Sequence, residues 1–410
     1  AWANLDAAVK GALARGIAVN LNLTAPAPLW ATKEPPRADI ATTFEPDPKA
    51  FSAFVRAVGT RYSGDFTPEG GDGPLPRVDY WSIWNEPNHS SWLTPTWQQD
   101  SAGVWFERSA ALYRSLMDAG YGALKDSGHG SDTILIGETA PSGQNKQAVK
   151  QFMKPLVFVR ALYCLDDKLQ PLTGDAAARL DCPANPADMA NDHPGLFAAT
   201  GYAHHPYGGL SAPTVPIKDP GVVTIADLGK LERVLDRAQQ EYGKSRKLPL
   251  YLTEYGYQTA PDAIALPLRL QAKFLNQSEW LTFKDPRVKT LGQFLLVDDG
   301  PPLDLTFQSG LIKRNGVKKP SFAAYRVPLW VSGTGPHKRV WGLLRPAAAG
   351  EAAKADLQFR ASGGDWKTLQ TLTAHGKRNV VRTKVTVSTA GAFRLVYGDD
   401  VSRTMGVKVR

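Results

Sequence analysis

Short apolar runs alternate with longer stretches whose apolar residues recur every three or four positions along the first three-quarters of the chain. Leu5, Ala8, Val9, Ala12 and Leu13 have helical spacing, and Ile17–Leu23 is a short run closed by Pro26 and Pro28, which predicts a helix and then a strand. The alternation continues with a helix on Phe51, Phe54, Val55, Val58 and Tyr62 and a strand over Val78–Asn85. A helix over Phe106–Leu124 and strands over Thr133–Gly137 and Thr200–His205 follow. An amphipathic stripe of Leu228, Leu231, Val234, Leu235, Ala238 and Tyr242 leads into a strand over Pro249–Thr253. A helix over Leu268–Leu281, a sixth strand over Leu291–Val297 and a short helix near Ser321–Tyr325 close the series. Six such units imply a parallel sheet, either doubly wound or part of a (β/α)₈ barrel. A doubly wound sheet favours a glycine-rich phosphate loop after its first strand. Here that strand is followed by Thr24-Ala25-Pro26-Ala27-Pro28, which favours the barrel.

After Pro328 the helical period stops. Val340–Leu344, Asp356–Phe359, Trp366–Thr373, Val380–Val387 and Phe393–Tyr397 are short β-type runs. Val381, Thr383, Val385 and Val387 alternate with Arg382, Lys384 and Thr386, as in a half-buried strand. The expected organisation is therefore an α/β catalytic barrel over residues 1–326 and a small antiparallel β-sandwich, immunoglobulin- or fibronectin-like, over 327–410. A short linker is expected near Arg326–Pro336.

Composition sharpens this picture in two places. The chain of 410 residues carries a net charge of +9, yet residues 1–326 hold 34 basic and 34 acidic side chains. Residues 327–410 hold 14 basic and 5 acidic ones, among them Lys338, Arg339, Arg345, Lys377, Arg378, Arg382, Lys384 and Arg394. Nucleic-acid binding by the main body is therefore not expected, whereas weak attachment of the basic module to an anionic polysaccharide or cell wall is. The rival reading of that charge is a solubilising surface. Cys164 and Cys182 are the two cysteines, flanking a loop with Pro171, Gly174 and Pro183. They read either as a disulfide closing an insertion, which points to a secreted or cell-surface protein, or as two unrelated thiols. No apolar run approaches the roughly 18 residues of a membrane span. The chain opens inside a helix without an initiator Met, as a mature or truncated product does.

Two strand ends carry chemistry. Trp81-Ser82-Ile83-Trp84-Asn85-Glu86-Pro87-Asn88 is an apolar strand ending in an amide, a carboxylate and a proline. Leu250-Tyr251-Leu252-Thr253-Glu254-Tyr255-Gly256 again ends in one carboxylate. In a barrel, catalytic groups sit at such C-terminal strand ends. Two carboxylates with different proton affinities are what cleavage of a glycosidic bond requires.

These motifs resemble those of the retaining glycoside hydrolases of clan A, and the form Trp84-Asn85-Glu86-Pro87-Asn88 is most similar to family 39 and its relatives. The resemblance covers Ala1 to about Arg326 and implies a TIM barrel with Glu86 as acid/base and Glu254 as nucleophile. Counted this way, the six strands are strands three to eight, and the first two would lie upstream. Asn85 would bind the hydroxyl beside the anomeric carbon. Trp30, in Pro28-Leu29-Trp30-Ala31, resembles an aromatic wall, and His205 and Tyr207, in His205-Pro206-Tyr207, resemble the strand-six pair that contacts nucleophile and sugar. The family often has a Trp at the end of strand eight. This chain has Gln293-Phe294-Leu295-Leu296-Val297-Asp298-Asp299, so Asp298 or Asp299 is the candidate for binding hydroxyls there.

The implied activity is double-displacement hydrolysis of a polysaccharide, oligosaccharide or glycoside, with β-xylosidase- or arabinofuranosidase-like specificity. The two carboxyl groups would then stand about 5–5.5 Å apart. Transglycosylation, or a non-catalytic carbohydrate-binding barrel, are the alternatives. Glu138 and Trp92 are further candidates for contacting sugar hydroxyls and faces. Trp97 and Trp105 share the stacking rationale, with core packing as their rival role. No cofactor is expected. No metal is expected at His204-His205 either, because neighbours on a strand point to opposite faces.

Overall fold

A computed structural model of the chain describes residues 2–301, 307–347, 352–376 and 378–409. Of the basic positions named above, Lys377 lies outside the described residues.

The predicted alternation is present. Helix α1 (Ala3–Leu13) is followed by β1 (Asn20–Leu23), α2 (Pro48–Arg61), β2 (Tyr80–Ile83) and α3 (Arg108–Leu124). Next come β3 (Thr133–Thr139), α4 (Pro155–Leu162), β4 (Gly201–His204) and α5 (Gly229–Glu241). The series closes with β5 (Leu250–Tyr255), α6 (Leu268–Lys284), β6 (Val288–Gln293) and α7 (Pro320–Arg326). Helix α2 shows why these segments start where they do. Pro48 occupies its first turn, and the Asp47 carboxylate accepts from the backbone N–H groups of Lys49 and Ala50. Its Phe51, Val55 and Val58 form the buried stripe.

Strands β1 to β6 form one six-stranded sheet in chain order, and the pairs from β1 through β5 are parallel. A doubly wound sheet would reverse its strand order part-way across. The unreversed order is barrel winding, and the fold is of the TIM-barrel class, followed by C-terminal antiparallel sheets.

The sixth strand lies earlier than the apolar pattern suggests. Leu295 has φ +70°, which breaks the extended backbone, and Leu296 and Val297 are exposed. The apolar run after Gln293 therefore leaves the sheet. The expected linker contains a strand as well, because Leu329, Trp330 and Val331 are all buried.

By compactness the chain divides into two units, Ala1–Pro206 with Pro216–Thr253 and Arg287–Thr290, and Tyr207–Val215 with Glu254–Pro286 and Leu291–Arg410. The first is centred on Trp81, Ile83, Tyr113, Leu116, Ile134, Ile136 and Tyr202, all buried. It contains the Cys164–Cys182 disulfide. Buried Arg114 sits beside that bridge and donates to the carbonyls of Leu162 and Leu180 and to Cys164 Sγ. Burial pulls its guanidinium down to about 10.

In the second unit, β7 (Leu329–Ser332) and β8 (His337–Leu343) form a three-stranded antiparallel sheet with β11 (Val380–Thr386). The other sheet contains β9 (Lys354–Ala361), β10 (Lys367–Thr373), β12 (Gly391–Tyr397), β13 (Asp400–Val401) and β14 (Met405–Val407). Val331, Val340 and Val381 from the first sheet share one core with Leu357, Leu372, Phe393 and Leu395 from the second. That shared core makes the pair a sandwich. Helix α6 packs on it through Trp280 stacked on Trp330 at 5.7 Å and Phe283 against Trp341 at 5.4 Å. Among the described residues, no helix is long and apolar enough to cross a membrane.

Candidate functional site

In the first unit, the end of β2 is built to present Glu86. Trp84 N–H donates to Leu23 O and Asn85 N–H to the Thr24 hydroxyl, both on the segment that leaves β1. Trp84 and Glu86 take φ values of +66° and +37°, a region that side chains other than glycine avoid. This backbone is held by long-range clips. The Asn88 side chain, fully buried, donates to the carbonyls of Ala140 and Met153 and accepts from Ala140 N–H. The Trp84 indole donates to Trp92 O.

The end of β3 is distorted in a matching way. Its register with β4 shifts between Ile136 and Thr139, a bulge that re-aims the intervening side chain, Glu138. Gly137 makes the bulge possible. Its φ is +102°, and a Cβ there would stand 2.5 Å from the Tyr202 ring. Glu138 itself has φ +43°, and its carbonyl accepts from Glu86 N–H.

These two ends and β4 bring three predicted residues into one row. His205 Nδ1 lies 2.9 Å from Glu86 Oε1, and His205 Nε2 lies 2.8 Å from Glu138 Oε2. The His205 side chain is 0% exposed, Glu138 1% and Glu86 15%. Burial pushes the Glu86 carboxyl up, but the His205 bond and charge, with smaller contributions from His89 and the Trp92 indole, outweigh it and hold the group below its ordinary value. His204, as expected, turns the other way, to Thr139 and Val223. Asn85 is buried, and its side-chain oxygen accepts from Asn22 Nδ2 at 3.1 Å. Trp30 does not join this row. It is 79% exposed and lines an apolar cleft with Pro26, Pro28, Phe51, Phe54 and Trp84. Trp97 is core, and Trp105 is half-buried in a two-residue strand.

In the second unit, Tyr207 Oη donates to Glu254 Oε2 at 3.1 Å. The Tyr207 ring is flanked by Tyr255, Phe294 and Phe307 at 6.3–6.4 Å between centroids. Asp298, also in the second unit, is engaged by a cation. Its carboxylate accepts from Lys319 Nζ at 2.6 Å, and both side chains are buried. A carboxylate closed inside an ion pair has its charge already matched, an arrangement that suits a structural role.

Three contributors escape a reading of the motifs. Thr253 Oγ1 donates to Glu138 Oε2, Asn22 holds Asn85, and His89 stacks on Phe152 at 3.6 Å. None of the three has a signal of its own, since even Asn22 is an exposed polar position that alternates with leucines along β1.

No protein-family model and no curated protein matches the chain. Among solved structures, it is similar to a family 39 glycoside hydrolase from Bacteroides cellulosilyticus WH2, with 14% identity over 96% of this chain and 71% of that one and a TM-score of 0.47. It is also similar to AbfB, a family 51 α-L-arabinofuranosidase from Bifidobacterium longum, with 9% identity over 93% and 77% and a TM-score of 0.44. CelM2, a bifunctional glucanase-xylanase from a metagenome library, aligns with 10% identity over 84% and 69% and a TM-score of 0.36.

Proposed function

We propose that the protein is a retaining glycoside hydrolase in which Glu254 is the nucleophile and Glu86 the acid/base. The observation that carries this is a pair of glutamates at the C-terminal ends of parallel strands, each engaged by its own ring partner, Glu86 by His205 and Glu254 by Tyr207. Glu254 attacks the anomeric carbon while Glu86 protonates the departing oxygen, giving a covalent glycosyl-enzyme. Glu86 then takes a proton from water, which attacks the same carbon and releases the sugar. Asn85, held by Asn22, hydrogen-bonds the neighbouring hydroxyl, and Trp30 and Trp92 offer aromatic faces to the sugar chain. The substrate class is a neutral pentoside, a β-xyloside or an arabinofuranoside, and the protein works outside the cell.

The test is a panel of aryl glycosides with leaving groups of graded acidity. In kcat/KM, Glu86→Ala should slow poor leaving groups most and leave the best ones nearly untouched, while kcat falls for all of them through loss of the general base and azide restores it by giving a glycosyl azide of retained configuration. Equal loss across the panel contradicts the acid role.

The basic sandwich is proposed to hold the enzyme near an anionic polysaccharide. Arg339 and Lys384 stand directly opposite on β8 and β11, an arrangement that costs stability. Among the described residues, neither has an ion-pair partner. Arg345 is instead paired with Glu279, and buried Lys338 donates to the carbonyls of Gly333 and Lys408, so these two charges do not serve the surface. Retention on polygalacturonate should weaken steeply with salt, and salt-insensitive retention contradicts the assignment.

A further inference from the structure

His204 and His205 are adjacent and both fully buried, yet they are seated for different protonation states. A neutral imidazole has one N–H donor and one bare acceptor nitrogen. His204 is placed for that form. Its Nε2 faces the Val223 carbonyl at 3.1 Å and its Nδ1 the Thr139 hydroxyl at 2.8 Å, one acceptor and one group able to donate. Burial pulls its pKa down to about 4.

His205 faces carboxylate oxygens at both nitrogens, Glu86 Oε1 and Glu138 Oε2. Two hydrogen bonds to two carboxylates need two protons. Either both are on the ring, or one is on the ring and one on a carboxyl. The surroundings of Glu138 argue against a proton on that carboxyl. Its Oε2 also accepts from the Thr253 hydroxyl, the double acceptance of an ionised group. Its Oε1 is buried with no hydrogen-bond partner among the described residues, so Oε2 makes all of this carboxyl's hydrogen bonds.

We propose that Glu138 keeps His205 doubly protonated, and that this buried imidazolium stabilises Glu86 as the carboxylate it becomes on giving up its proton. Glu138 is thus a positioning residue, acting on Glu86 through His205. This inference rests on Glu86 being the acid/base. Glu86 carries its transferable proton on Oε2, so Oε1 accepts from His205 Nδ1–H before and after transfer. Titratable groups of the same unit facing this row include His89 beside Glu86, His204 beside His205, and the Tyr113 and Tyr202 phenols near Glu138. Glu254 follows Thr253 directly along β5.

The consequence has a definite sign. Neutralising Glu138 lets His205 lose its second proton, which removes a positive charge that favoured ionised Glu86. Glu86 then keeps its proton to higher pH. The alkaline limb of kcat/KM, which reports loss of that proton, should move up by roughly one pH unit or more in Glu138→Gln, with the acid limb unmoved.

The experiment combines that profile with nitrogen-15 NMR of the histidine rings in wild type and Glu138→Gln. In wild type both His205 nitrogens should carry protons from pH 5 to 8, and in Glu138→Gln they should split into the protonated and bare pair of a neutral ring. A neutral His205 ring in wild type overturns the proposal and needs no variant to fold. A Glu138→Gln enzyme that is slower but keeps an unshifted alkaline limb overturns it too, because a purely structural role lowers rate without moving the limb. Absence of any glycoside turnover would instead remove the assignment of Glu86, while the ring spectrum still decides whether Glu138 holds the imidazolium.

Discussion

Replacing Lys319 by Met tests whether Asp298 is structural. Lys319 Nζ donates to Asp298 Oδ1 at 2.6 Å, to Thr259 Oγ1 at 2.9 Å and to Gln308 O at 3.0 Å, with no solvent on the Lys319 side chain. Burial pulls the ammonium below its ordinary value even against the Asp298 charge that raises it. The intact pair therefore adds little net stability. Breaking it is another matter, because Met leaves a buried carboxylate without a counter-charge and strips a donor from two further oxygens. Loss of one partner of a buried pair costs about 3–5 kcal/mol. Exchanging both partners, Lys319→Met with Asp298→Leu, removes the orphaned charge and should recover most of that loss. Urea unfolding followed by tryptophan fluorescence measures both variants. The double variant should also keep its KM for aryl glycosides. A single-variant cost below about 1 kcal/mol, a double variant less stable than the single one, or a raised KM in a well-folded double variant would refute the structural assignment.

Other outcomes follow from single contacts. Tyr207→Phe removes one hydrogen bond to the Glu254 carboxylate, worth about 1.5–3 kcal/mol, so kcat/KM should fall roughly 10- to 100-fold; an unchanged value would place the hydroxyl outside the reaction. His204 is neutral in the fold with a pKa of about 4, against about 6.5 in the unfolded chain. Its contribution is present above pH 6.5 and is lost as pH falls toward 4, because there the unfolded chain binds the extra proton. Relative to His204→Gln, the wild type should lose about 3 kcal/mol between pH 7 and pH 4 in urea titrations, and a constant difference contradicts it. Trp30→Ala should raise KM for oligosaccharides several-fold while leaving a small aryl glycoside unaffected; equal effects on both would count against an exposed platform.

The sequence was most informative where a strand ended. Apolar runs closing on Asn85-Glu86-Pro87 and on Glu254 located both carboxylates, because an apolar strand needs no carboxylate at its end. The unreversed strand order was anticipated from a missing glycine loop, and the disulfide from two cysteines around a turn-rich segment. Residues whose role depends on distant partners were harder. Glu138 could be read as a strand-end carboxylate, but its bond to His205 spans 67 residues, and the bulge that aims it depends on the Tyr202 ring packing over Gly137. Asp298 reads from the sequence as a free carboxylate because its partner cation, Lys319, is 21 residues away and carries no motif. The run Leu295-Leu296-Val297 has the composition of a strand, yet a left-handed residue turns it out of the sheet.

In the proposed reaction Glu254 becomes covalently glycosylated. The direct measurement is mass mapping of the protein after reaction with a 2-deoxy-2-fluoro glycoside bearing a dinitrophenyl leaving group, made from whichever sugar the enzyme turns over. One fluorosugar should be found on the peptide containing Glu254, and none on Glu254→Ala. An adduct on another carboxylate, or release of an inverted sugar with no adduct, would contradict the account.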